Sequence, residues 1–275
     1  MHRLISILKF LVVCILFWLQ VFSQSDSIKT SPSSRVEDIF CDMKHTLNVG
    51  LGLLRSPFTG SSTAWMRVGC AGLTTSAFFL IDPAMQDFAR SNQSPFKDRI
   101  FSIEDYLNGK YGTFYAAGIY FIGWSIREET VRRTGLYALE AVVYAETITR
   151  FLKFSFGRKR PEGADHLFFK PFRGTSEYFR SLPSGHTTGA FAFSTVMAKS
   201  IDNIYWQIFW YCSASLVGMA RIYHNNHWFS DTFLASIIGY RIAGYVVSFS
   251  SRRQTQDKKY RFGFSPREVS ITWQF

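Results

Sequence analysis

The sequence predicts an all-α protein: a helical bundle of about six core helices, its active site at clustered helix ends, with a short C-terminal β-hairpin. Three observations carry this. Apolar segments recur at about 66–82, 111–125, 134–152, 186–200, 204–220 and 229–249, each too long for a strand and rich in helix formers. Three short polar stretches, ending in Pro161, His186 and Asp231, fall at the ends of those segments. Strict alternation appears only near the C-terminus, where Tyr260, Phe262 and Phe264 lead through Ser265–Glu268 to Val269, Ile271, Trp273 and Phe275.

Taken in chain order, residues 1–23 are expected to be a secretory signal. Arg3 and Lys9 precede an apolar run from Phe10 to Phe22, and Val21 and Ser23 sit at the small-residue positions of a cleavage site. Residues 24–63 form an N-terminal extension, a polar, Ser-rich leader followed by a helix-compatible stretch from Asp38 to Leu54. The helical domain is expected over 64–249, with a polar loop from Asp82 to Lys110 that carries Pro83 and Pro95. Residues 250–275 are a basic tail with the hairpin.

At 275 residues the chain can bury a large core. Hydrophobic residues make up 47%, and a mean hydropathy of +0.01 is low for a chain made mostly of bilayer spans. Several apolar segments are also short of the roughly 20 residues a span needs. Others contain Glu140, Glu146 and Arg150, or Arg241, which are costly in lipid unless they face an interior site. These facts favour an exported, membrane-associated helical domain over a polytopic one. If every segment did span, the basic tail would lie outside, against the positive-inside tendency. The net charge of +11 comes without the run of like charges that marks a nucleic-acid tail, so no nucleic acid is expected. After signal removal Cys41, Cys70 and Cys212 remain, and buried free thiols are expected in place of a disulfide framework.

The chemistry lies in three stretches. Lys153 to Pro161 closes the third core helix, and Lys153 and Arg160, seven apart, share a face if the helix continues. Gly157 and Pro161 point to an end nearby. Pro183-Ser184-Gly185-His186 opens the next helix, with Ser184 as N-cap and Gly185 allowing backbone N–H groups close to an anion. In the third stretch His227 and Asp231 are one helical turn apart, so the carboxylate can hold one ring nitrogen and leave the other free. His224 is a rival without a carboxylate four residues on. Each stretch alone is an ordinary helix end; jointly they form an oxyanion cradle with two histidines.

Together the three stretches resemble the type 2 phosphatidic acid phosphatase and vanadium haloperoxidase superfamily. Its pattern is Lys-six-Arg-Pro, then Pro-Ser-Gly-His, then Ser-Arg-five-His-three-Asp, and every spacing is met in order. Ala220 departs from it, standing where the family has Ser. The resemblance covers about residues 64–249 and implies a metal-independent phosphate-monoester hydrolase without cofactor. Lys153, Arg160, Arg221, Ser184 and Gly185 would bind phosphate. His227 would attack phosphorus, Asp231 would orient it, and His186 would serve as acid and then base. Lipid phosphates such as phosphatidate, a prenyl diphosphate or a lipid A phosphate are the expected substrates. A soluble-substrate acid phosphatase, or a haloperoxidase holding vanadate, is the alternative. The active site is expected on the extracytoplasmic side.

Overall fold

The computed structural model describes residues 35–102, 104–107, 109–162, 165–172, 176–265 and 268–273. The expected signal at 1–23 and most of the polar leader lie outside them. The chain divides into two compact units at Asp42/Met43. The described part of the first is only the opening of helix α1 (Arg35–Thr59). All that follows concerns the second.

The apolar segments are helices: α2 (Ser62–Phe78), α6 (Gly109–Ile126), α7 (Glu129–Phe156), α8 (Gly185–Ser200), α9 (Ile204–Tyr223) and α10 (Phe229–Lys259). Side-chain caps start several of them. Ser61 accepts from the Ala64 amide, and Asn203 accepts from Tyr205 and Trp206. The stretch expected to be a loop is largely helical: α3 (Asp82–Ser91), α4 (Pro95–Phe101) and α5 (Glu104–Leu107). Pro83 and Pro95 sit in first turns, where a missing N–H costs nothing, so they start helices and do not interrupt them. The hairpin forms as expected, β1 (Tyr260–Ser265) pairing antiparallel with β2 (Glu268–Trp273), Tyr260 opposite Trp273.

Helix α8 is the centre of the bundle. Thr187–Ala190 and Ala192–Ala198 are buried on every side, as the near-absence of charge in this segment requires. Helices α7, α9 and α10 pack around it, and α6 pairs with α7. The α6–α7 approach depends on two glycines: a Cβ at Gly123 would meet the Arg132 amide at 2.2 Å, and one at Gly135 would meet the Tyr120 amide at 2.2 Å. Glu140, unexpected in an apolar run, faces inward from α7 and accepts from Thr46 at 2.6 Å, with His45 Nδ1 at 3.1 Å. A buried carboxylate with such partners is affordable.

The outer surface is unusually apolar. Phe58 is 91% and Leu80 81% exposed, and Thr75 is the one buried residue of α2. One helix, Phe229–Arg252, is long and apolar enough to cross a membrane, and the bent pair α2–α3 would make a second if it counts as one span. Cys41, Cys70 and Cys212 are free but exposed, which corrects the expected burial. Cys70 and Cys212 lie on outward faces of α2 and α9, faces the sequence reading had assigned to a buried core.

Candidate active site

The ends of α7, α9, α8 and α10 meet at one cavity of about 240 Å³, lined by Lys153, Arg160, Gly185, His186 and His227 together with Glu146, Thr149, Arg150, Glu177 and Arg180. Helix α7 stops at Phe156 because Gly157 adopts φ +59°, and a Cβ there would strike the Lys170 carbonyl at 1.8 Å. Lys153 and Arg160 therefore do not share a helix face. Arg160 returns to the site on the following loop, its backbone N–H bonded to the Tyr178 carbonyl at 3.0 Å.

Lys153 is buried and donates to the Arg180 carbonyl. Burial, and then the Arg160 charge, push its ammonium down to about 7. Arg160 donates to the Glu177 carbonyl at 2.9 Å and pairs with the Glu177 carboxylate at 3.1 Å. The same carboxylate binds Arg180 at 2.7 Å, so it bridges two cations on the cavity rim. Arg221, in the last turn of α9, pairs with Glu104 at 3.2 Å.

Ser184 caps α8, accepting from the Thr187 amide at 3.5 Å and from the Thr187 hydroxyl at 3.0 Å. It is fully buried, and neither it nor Arg221 lines the cavity wall. Gly185 and His186 do, at the positive end of α8. Burial pushes His186 down to about 4, helped by Arg221, Lys153 and Arg160. His227 is driven well below the ordinary imidazole value by burial and by Lys153, Arg221, Arg160 and His186. Three motif cations thus act on both histidines at once.

His227 is not on the helix, which corrects the expectation of one shared turn: α10 begins at Phe229. The pair is brought together by a cap. Asp231, in the first turn, reaches back to accept from the Trp228 amide at 2.9 Å, as the third helical residue of a capping box does. This leaves His227 Nδ1 3.6 Å from Asp231 Oδ2, with Nε2 on the other edge of the ring. His224 caps α9, is exposed, and lies outside the cavity lining.

Sequence reasoning missed what holds Asp231. Arg158 donates to Asp231 Oδ1 at 2.7 Å and to Asp82 Oδ2 at 2.8 Å, and Ser181 donates to Asp231 Oδ2 at 2.5 Å. Arg158 was visible only as part of a basic cluster, and Asp82 only as the start of a loop. Among the described residues no group of three or more His, Cys, Asp and Glu could hold a metal ion.

Comparison with known proteins agrees with the motif resemblance. The lipid A 1-phosphatase of Porphyromonas gingivalis is 33% identical over 100 residues, 35% of this chain and 20% of that protein. The lipid A 1-phosphatase of Rhizobium johnstonii is 32% identical over 111 residues, 38% of this chain and 43% of its own length. The chain thus spans less than half the length of these curated relatives. Among solved structures, LpxE of Aquifex aeolicus aligns with a TM-score of 0.44 at 21% identity, over 61% of this chain and 95% of that one. The PAP2-type phosphatidylglycerolphosphate phosphatase of Bacillus subtilis aligns with a TM-score of 0.47 at 18% identity, over 76% and 96%. The profile of the PAP2 superfamily matches from α7 to α10, so residues 134–255 of this chain are a PAP2 superfamily domain.

Proposed function

We propose that the protein is a phosphate-monoester hydrolase acting on a lipid phosphate through a phosphohistidine at His227. The observation that carries this is electrostatic: Lys153, Arg160 and Arg221 surround two buried histidines and hold both neutral. A neutral imidazole is a nucleophile, and a cationic cradle recruits a phosphate dianion to it. Nδ1 faces Asp231, so Nε2 attacks phosphorus. The P–O ester bond breaks as the P–Nε2 bond forms, and the leaving oxygen takes a proton from His186. Asp231 steadies the imidazolium that results. Water then attacks phosphorus and gives its proton to His186, and the P–N bond breaks to release phosphate. Lys153, Arg160, Arg221 and the Gly185 amide hold the phosphoryl oxygens, and Ser184 sets the helix end that presents that amide.

His186 must be protonated for the first step, yet it is pushed down to about 4 in the ligand-free site. The substrate supplies the remedy. Its two negative charges offset the surrounding cations, so binding draws a proton onto His186.

A lipid substrate is supported by the names of the curated relatives and by the exposed aromatic surface, which suits association with a membrane. The expected signal and the basic residues from Arg252 onward, at the far end of α10 from His227, support an extracytoplasmic site. The experiment is phosphate release from a panel of lipid and soluble phosphomonoesters in EDTA, with and without orthovanadate. Lipid phosphates should be cleaved in EDTA, and vanadate should inhibit. Activity lost on chelation and restored by a divalent metal would refute the mechanism, and equal rates on soluble esters would refute the substrate class.

A further inference from the structure

We infer that Arg158 is a positioning residue for phosphoryl transfer, fixing the Asp231 carboxylate against His227 through a buried Asp82–Arg158–Asp231 chain. This rests on the reading of His227 as nucleophile. All three members are fully buried. One guanidinium nitrogen of Arg158 donates to Asp231 Oδ1 and Ser230 Oγ, both at 2.7 Å. The other donates to Asp82 Oδ2 at 2.8 Å and to the His166 carbonyl at 2.7 Å. Asp82 in turn accepts from the Ser230 amide at 2.9 Å and from its hydroxyl at 2.5 Å, so it caps α10 from another helix. The guanidinium lies 4.4 Å from the centre of the Phe79 ring and 5.5 Å from that of Trp228.

This arrangement leaves Asp231 no second orientation. Arg158 holds one oxygen; Ser181 and the Trp228 amide hold the other, which is also the oxygen facing His227. The charges add to the same end. Two carboxylates and one guanidinium leave one net negative charge beside His227, the complement of the imidazolium formed when it carries phosphate. An isolated structural ion pair would not need its second carboxylate to sit against the nucleophile. Arg158 touches neither the cavity nor a phosphate site, so its effect passes through Asp231 alone.

The test separates binding from transfer. Orthovanadate affinity, kcat and trapping of labelled phosphate are measured in wild type, Arg158→Met, Asp82→Asn and the double variant. Arg158→Met leaves two buried carboxylates without their shared cation, and one is driven to hold a proton. Its kcat should fall about 10²-fold, with vanadate affinity unchanged within about threefold. The double variant removes both charges and should recover about tenfold in kcat over Arg158→Met. Unchanged kcat, loss of vanadate affinity in parallel with kcat, or no recovery in the double variant would overturn the role. If Arg158→Met does not fold, the isosteric Asp82→Asn decides: a roughly tenfold fall in kcat at constant vanadate affinity supports the role, and wild-type kcat refutes it. Failure of wild type to trap phosphate on His227 would instead sink the reading of the site.

Discussion

Lys153→Met should make the protein inactive and, below neutral pH, more stable. In the folded protein the ammonium is pushed from 10.5 to about 7, first by burial and then by Arg160. At about 1.4 kcal/mol per pH unit this represents a cost of roughly 4–5 kcal/mol to folding. The sign follows from proton counts. Below about 7 both folded and unfolded chains carry the proton, and the full cost is present. Between about 7 and 10.5 the unfolded chain holds more protons, so stability rises with pH and the cost fades. Methionine removes the charge but leaves the Arg180 carbonyl without its donor, a loss of about 1–3 kcal/mol. The net gain at pH 6.5 is then about 2–3 kcal/mol, and it should shrink by about 2.5 kcal/mol by pH 9, changing sign or vanishing. Urea denaturation of both proteins at the two pH values measures it. A Met variant less stable than wild type at pH 6.5, or an advantage that does not shrink with pH, would refute the reasoning.

The two histidines should fail differently. His227→Ala should trap no labelled phosphate with any leaving group, while His186→Ala should form the phosphoenzyme faster from p-nitrophenyl phosphate than from an alkyl phosphate, and hydrolyse it slowly. The general-acid loss on the alkyl ester should be about 10²–10⁴-fold, and His224→Ala, exposed and outside the cavity, should stay active. Glu177→Gln removes a carboxylate that ties up Arg160 and Arg180 and should tighten orthovanadate binding about three- to tenfold; unchanged or weaker binding would show that the bridge does not compete with phosphate. A tag placed between Arg160 and Pro183 should be reached by an impermeant reagent on intact cells, and protection there with exposure of a C-terminal tag would reverse the proposed orientation.

The motif residues were legible because their spacing survives in one dimension. Gly157 announced the end of α7, and its φ of +59° is the reason. The sequence could not show how Arg160 returns, because a loop bonded to Tyr178 replaces the continued helix. Nor could it show His227 and Asp231 joined by a capping contact, since four residues apart means one turn only inside a helix. Asp82–Ser91 was misread because proline signals a loop and a first helical turn equally well. Arg158 was invisible for another reason. Its partner Asp82 is 76 residues away, and no periodicity or local spacing records such a pair.

The site joins two demands that oppose each other. Binding a phosphate dianion calls for clustered cations, and clustered cations strip protons from Lys153 and both histidines. For His227 this serves the reaction, since a protonated imidazole cannot attack. For His186 and Lys153 it is a handicap until the substrate arrives, because one must donate a proton and the other must carry charge. The same dianion that needs these groups charged is what makes them chargeable. Substrate binding therefore completes the catalytic protonation state, and an uncharged occupant of the cavity would leave it incomplete. Asp231 stands apart from this exchange. Its charge is fixed by Arg158 and shielded from the cavity, so it can meet the imidazolium at His227 whatever the cradle holds.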